Sequence, residues 1–130
     1  MKAAVVGCGM ISETYLTSLK QFQSIEVAAC CDLDKERAYR TAEKFHTEAL
    51  TWEEILEDER IEMVINLTNP AAHYSITKGA LEAGKHVFSE KMIAVEKQEG
   101  FALCRIARER GVRLGVAPDT FLGAVIQTAR

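Results

Sequence analysis

Short apolar runs alternate along this chain with longer stretches in which apolar residues recur every three or four positions. Residues 2–6, 25–31, 63–67, 86–88 and 112–116 are near-continuous apolar runs, the signature of strands covered on both faces in a parallel sheet. A minor strand is expected around Glu48-Ala49-Leu50. Between the runs lie helices with clear punctuation. Asp34 stands where a cap belongs, ahead of Ala38, Ala42 and Phe45 at helical spacing. Thr51 followed by Glu54 reads as a capping box. Pro70 suits a first helical turn, where its missing N–H is no loss, and Gly84 suits the C′ position of the same helix. A last helix carries Leu103, Ile106 and Ala107 on one face and stops at Gly111. Strand and helix alternate throughout, and right-handed crossovers turn that order into a parallel sheet with helices on both faces. The expectation is a single α/β domain with a doubly wound parallel sheet.

Beyond the last strand, Ala117-Pro118-Asp119-Thr120-Phe121 leads into a helical-looking stretch from Leu122 to Arg130. Two readings stand: a C-terminal helix packing back on the sheet, or a lead into a further segment. The second places the domain at residues 1–118 and the start of a connection at 119–130.

Composition narrows the class. At 130 residues the chain holds one domain and buries roughly two thirds of its unfolded surface. With 48% apolar and 27% charged residues it is an ordinary globular sequence. A net charge of -3 gives no electrostatic reason to expect nucleic acid as a partner. No apolar stretch approaches the ~20 residues of a membrane span, and Met1 to Gly7 is too short a run for a signal peptide. Cys8, Cys30, Cys31 and Cys104 show no C-x-x-C spacing, so free thiols in a reducing, cytoplasmic compartment are expected. No metal site is expected.

The candidate chemistry lies where strands end. Gly7-Cys8-Gly9-Met10-Ile11-Ser12 follows the first strand and opens a helix. In a dinucleotide site the first glycine permits a tight turn, and the second lets the backbone approach the pyrophosphate at the helix N-terminus. The third position calls for Gly or Ala, and here it is Ser12. Asp32, twenty residues further on, stands at the end of the second strand. A carboxylate there accepts from the adenosine ribose hydroxyls and repels a 2′-phosphate, which favours NAD over NADP. Its other reading, a cap for the following helix, is one Asp34 already fills. Lys35 and Arg37 close by leave NADP open. Glu90-Lys91 follow the fourth main strand, and an ammonium there can polarise a substrate oxygen or pass a proton; the plain alternative is a solvated pair. Thr68-Asn69-Pro70 with His73 lie at the end of the preceding strand, where His73 can equally serve its own helix.

Four segments occur together in order and spacing: Gly7-Cys8-Gly9-Met10-Ile11-Ser12, Cys31-Asp32-Leu33-Asp34, Asn69-Pro70-Ala71-Ala72-His73, and Ala80 through Lys91, which reads A-L-E-A-G-K-H-V-F-S-E-K. Together they resemble the N-terminal domain of the Gfo/Idh/MocA oxidoreductases, the glucose–fructose oxidoreductase and inositol dehydrogenase family. The resemblance covers essentially the whole chain. It implies an NAD(P)-binding Rossmann fold and hydride transfer between NAD or NADP and a carbon of a sugar, polyol or related compound. It assigns Gly7, Gly9, Met10 and Ile11 to the pyrophosphate and Asp32 to the adenosine ribose. Thr68, Asn69, Pro70 and His73 go to the nicotinamide-side ribose region, Glu90 to the reaction centre, and Lys91 to catalysis. It also implies a second domain, not contained in these residues, that closes the substrate cleft and forms much of a homo-oligomer interface. The isolated chain is then expected to be inactive, and its own oligomeric state stays open.

Two departures stand out. The family's E-K-P reads Glu90-Lys91-Met92, which removes a fixed φ after the lysine. Ser12 bears on how closely the first helix approaches the sheet. Two competing readings remain: a non-catalytic dinucleotide-binding regulatory module, and a methyltransferase, which leaves Glu90-Lys91 without a task.

Overall fold

The computed structural model describes residues 1–117. It runs β1 (Lys2–Val6), α1 (Met10–Leu19), β2 (Glu26–Cys31), α2 (Lys35–Phe45), β3 (Glu48–Ala49), α3 (Trp52–Glu57), β4 (Met63–Asn66), α4 (Pro70–Glu82), β5 (His86–Ser89), α5 (Lys97–Arg110) and β6 (Leu114–Val116). The strands form one sheet in the order β3-β2-β1-β4-β5-β6, paired in parallel throughout. This is the doubly wound Rossmann-type α/β architecture expected from the alternation. The expected 1–118 boundary and the 119–130 connection lie outside the described residues.

Alternation along the strands sorts side chains into two core layers. Ala4, Val6, Ala29, Cys31 and Val64 face a layer built with Ile55 of α3, Leu81 of α4 and Leu103 of α5. Ala3, Val5, Cys30 and Ile65 face the opposite layer, with Leu16 of α1 and Ala42 and Phe45 of α2. Each leucine or isoleucine closed off in these layers contributes about 1.5–3 kcal/mol of transfer free energy. Apolar strands with no polar face follow directly from this two-sided cover.

The helix punctuation holds in detail. The Asp34 carboxylate accepts the N–H groups of Glu36 and Arg37. Thr51 and Glu54 form both halves of the capping box. Pro70 sits in the first turn of α4, whose N-cap Asn69 accepts from the Ala72 N–H. Gly84 and Gly111 take the left-handed conformation (φ 76° and 69°) at the ends of α4 and α5. β6 is shorter than its apolar run, starting at Leu114, because Val112 still bonds back to Ala107 at the end of α5.

Candidate functional site

The strand order reverses between β1 and β4: successive strands from β1 run outward through β2 and β3, those from β4 through β5 and β6. In open α/β sheets ligands bind beyond the carboxyl ends of the strands at this point. Both key loops meet here. Gly7 has φ 98°, and a Cβ on it would stand 2.7 Å from the Leu67 carbonyl carbon and oxygen and 2.8 Å from the Thr68 nitrogen. Only glycine lets the loop after β1 press so closely on the loop after β4. A Cβ on Gly9 would meet nothing within 4 Å, so the space above the second glycine is open.

Helix α1 begins at this opening. Asp34, Thr51 and Asn69 give their helices a side-chain acceptor, but Gly9 at the N-cap of α1 has none. The first-turn N–H groups of α1 therefore have no side-chain cap, and the positive end of the helix dipole faces the crevice. Met10 is 96% exposed and Ile11 44%; at these two positions the backbone, rather than packing, is the resource. Ser12 is buried, and its hydroxyl donates to the Gly9 carbonyl at 2.6 Å. That bond satisfies the polar group the larger third residue brings under the helix.

Asp32, just past β2, has a side chain only 9% exposed. One oxygen accepts the Cys8 N–H at 2.8 Å and the other accepts the Asp34 N–H at 2.9 Å. Arg37 reaches the same carboxylate at 3.5 Å and Asp34 at 3.4 Å. Asp34, not Asp32, caps α2. Asp32 thus ties the glycine loop to the end of β2 and presents its charge at the rim of the crevice.

On the other side of the reversal point, Asn66 at the end of β4 is fully buried and fully bonded. Its amide donates to the His73 carbonyl (3.1 Å) and the Thr77 hydroxyl (3.0 Å). Its oxygen accepts from the Thr68 N–H (3.2 Å) and hydroxyl (2.7 Å). Sequence reading passed over Asn66; the available signal was an amide closing an apolar strand. His73 is buried as well, and its ring nitrogens meet the carbonyl oxygens of Thr68 (2.9 Å) and Met92. It joins the Thr68 loop to the loop carrying Lys91.

Glu90 is held from three directions. Its N–H donates to the Asn66 carbonyl at 2.9 Å, one carboxylate oxygen accepts the Tyr15 hydroxyl at 2.7 Å, and the other accepts the Lys91 N–H at 3.0 Å. Tyr15, on α1, is a second residue the sequence did not single out. Lys91 is exposed, and the Lys91–Met92 peptide bond is cis. Gly7, Gly9, Asp32, Thr68, Asn69, Pro70, His73, Glu90 and Lys91 all lie at the carboxyl edge of the sheet, spread from β2 to β5. Within that set the side chains of Asp32, Thr68, Asn69, His73 and Glu90 are engaged in the protein's own structure. Among the described residues, no cluster of His, Cys, Asp or Glu is arranged to hold a metal ion, and no helix is long and apolar enough to cross a membrane.

A group with two phosphates fits the unfilled space over Gly9 and the uncapped start of α1, and a ribose diol fits the carboxylate beside it. Comparison with known proteins agrees with this geometry. Residues 1–118 match the model of the Gfo/Idh/MocA family, described as an oxidoreductase family with an NAD-binding Rossmann fold, and the chain belongs to that family. It is similar to the inositol 2-dehydrogenase of Salmonella typhimurium, 32% identical over 118 residues, covering 88% of this chain and 35% of that protein. It is likewise similar to the scyllo-inositol 2-dehydrogenase (NADP(+)) of Bacillus subtilis, 32% identical over 120 residues, covering 89% and 32%. Among solved structures, GenD2 from gentamicin A biosynthesis, in complex with NAD, superposes with a TM-score of 0.90 at 25% identity, covering 93% of this chain and 35% of that one. The chain spans about a third of the length of these relatives.

Proposed function

We propose that the chain is the cofactor-binding part of an NAD-preferring oxidoreductase that moves a hydride between nicotinamide and a hydroxyl-bearing carbon of a sugar or polyol. The observation that carries this reading is the crevice at the reversal point. It combines a glycine open to solvent, an uncapped helix start and a buried-rim carboxylate. The backbone N–H groups of Met10 and Ile11 would hold the pyrophosphate, with Gly7 and Gly9 making room. Asp32 would accept the adenosine ribose hydroxyls. Arg37, already within ion-pair distance of Asp32, is the side chain that would turn to a 2′-phosphate, so NADP is the weaker second cofactor.

Bound nicotinamide supplies a hydride acceptor or donor. The chain's own residues then handle the proton and the positioning. Lys91, at the end of β5, would place its ammonium on the substrate oxygen, stabilising negative charge there or exchanging a proton with it. Glu90 fixes the backbone from which Lys91 projects. Asn66 and His73 act as positioning residues: they hold the Thr68 loop, which lines the nicotinamide-side ribose with Asn69 and Pro70. Relatives named for inositol support a polyol or sugar substrate. The rest of the substrate cleft would come from the length these relatives have beyond the matched region, and the 130-residue chain alone would turn over nothing.

Calorimetric titration of this chain with NAD, NADP and S-adenosylmethionine tests the reading. Binding of NAD ahead of NADP supports it. Binding of S-adenosylmethionine alone, or of none of the three, overturns it.

A further inference from the structure

Tyr15 and Glu90 are 75 positions apart in the chain, yet the Tyr15 hydroxyl donates to a Glu90 carboxylate oxygen at 2.7 Å. The bond crosses the reversal point of the sheet. Tyr15 stands in the second turn of α1, the helix that leaves β1 toward β2, and Glu90 follows β5 in the other half. Packing from below sets the phenol in place. Phe88, on β5 two residues before Glu90, packs on the core layer of Leu16 and Ile65. Its ring meets that of Tyr15 with centroids 6.3 Å apart and planes tilted by 49°. Gly115 on β6 is the register partner of Phe88, and a Cβ there would stand 3.2 Å from the Phe88 ring. The glycine thus leaves that ring its place.

What the phenol holds is already tied to Lys91. The other Glu90 carboxylate oxygen accepts the Lys91 N–H at 3.0 Å, and the Glu90 N–H donates to the Asn66 carbonyl at 2.9 Å. Without the Tyr15 hydroxyl this half-buried carboxylate has one donor fewer, and its side chain is free to swing with the Lys91 N–H attached. One helix therefore serves both halves of the crevice. Its first turn offers uncapped N–H groups, and its second turn reaches the loop of Lys91.

We propose that Tyr15 is a positioning residue for the nicotinamide half of the site: through Glu90 it fixes the loop of Lys91 relative to α1, so that pyrophosphate and lysine are held in one frame. A loop fixed in advance loses little freedom when the nicotinamide-side ribose settles beside it, and this preorganisation is the contribution of Tyr15 to affinity. ADP, which ends at the pyrophosphate, gains nothing from it. A tyrosine that merely filled the core would act through its ring alone, and phenylalanine would replace it. The gain in affinity rests on the cofactor reading given above; the hold on Lys91 does not.

Tyr15→Phe keeps the ring against Phe88 and removes only the hydroxyl. Calorimetric titration of the parent and this variant with NAD and with ADP gives the first readout. The variant should bind NAD about fivefold or more weakly, the worth of one net hydrogen bond, with its affinity for ADP unchanged. Hydrogen exchange followed by NMR in nucleotide-free protein gives the second. The Lys91 amide should exchange faster in Tyr15→Phe by a similar factor, while the amides of α2 keep their rates. Equal losses for NAD and ADP, or no loss of NAD affinity, overturn the effect on the nicotinamide half. Unchanged exchange at Lys91 overturns the hold on its loop. If the parent binds neither nucleotide, it is the cofactor reading that falls, while exchange at Lys91 still decides whether Tyr15 fixes the loop.

Discussion

The Cys8 backbone N–H donates to the Asp32 carboxylate at 2.8 Å, so the glycine loop and the end of β2 are joined through the same group proposed to hold the adenosine ribose. A carboxylate already oriented by the Cys8 and Asp34 amides loses little freedom when a diol arrives, and preorganisation of this sort favours binding. The same charge opposes a 2′-phosphate. Asp32→Ala should therefore weaken NAD by about tenfold or more, in keeping with ~1.5–3 kcal/mol for hydrogen bonds to a charged group. NADP should lose less, because Arg37 is released from its ion pair. Paired calorimetric titrations check this, and an equal loss for both nucleotides refutes the ribose assignment.

The two loop glycines should fail differently. Gly7→Ala puts a methyl 2.7 Å from the Leu67 carbonyl at φ 98°, and should cost about 2 kcal/mol or more of stability. Gly9→Ala meets nothing in the protein and should melt close to the parent, yet lose nucleotide affinity as the methyl enters the pyrophosphate space. Thermal unfolding with and without NAD separates the two; a Gly9→Ala chain that binds normally refutes the placement of the pyrophosphate.

Lys85 is a buried ammonium at the opposite end of the sheet, donating to the carbonyls of Asp58 (2.9 Å) and Ile61 (2.8 Å). Lys85→Met leaves those carbonyls without their donor and should cost about 2 kcal/mol. Burial holds the amine below its ordinary 10.5, against the pull of Asp58 and Glu59. The unfolded chain then binds more proton than the folded one just below 10.5. Lys85 adds stability as pH rises through that window. Denaturant unfolding should show this slope in the parent and not in Lys85→Met.

Asp58 and Arg60 make a local pair on the loop before β4. The Arg60 side chain, at 2.7 Å, and then its backbone N–H, at 2.9 Å, bring the Asp58 carboxyl from 3.8 down to about 2. Its contribution is complete above pH 3.8 and disappears as pH falls through about 2. Carboxyl-carbon NMR titration should put the Asp58 midpoint near 2, and Arg60→Ala should return it toward 3.8.

The parts of this fold legible in the chain were those whose physics is local. Caps at Asp34, Thr51 and Asn69-Pro70, the left-handed stops at Gly84 and Gly111, and the double-sided apolar strands each depend on a few neighbouring residues. The short pairing at Glu48–Ala49 was visible but faint, since two residues carry little periodicity. Asn66, Tyr15 and the bonded role of His73 were not legible. Their partners lie as far as 75 positions away, and nothing in a window of sequence distinguishes a polar residue that will be fully bonded from one facing water.

Alternating apolar runs, helix signals and glycine spacing were thus enough to determine a doubly wound sheet with a glycine turn opening a helix after its first strand, because backbone geometry enforces them residue by residue. Only the folded arrangement decided which groups meet: that Cys8 bonds to the Cys31 carbonyl, that Asp32 holds the glycine loop, and that Tyr15 steadies Glu90. Those contacts are set by strand order and by which face of the sheet each side chain enters. Both are settled by burial summed over the whole chain.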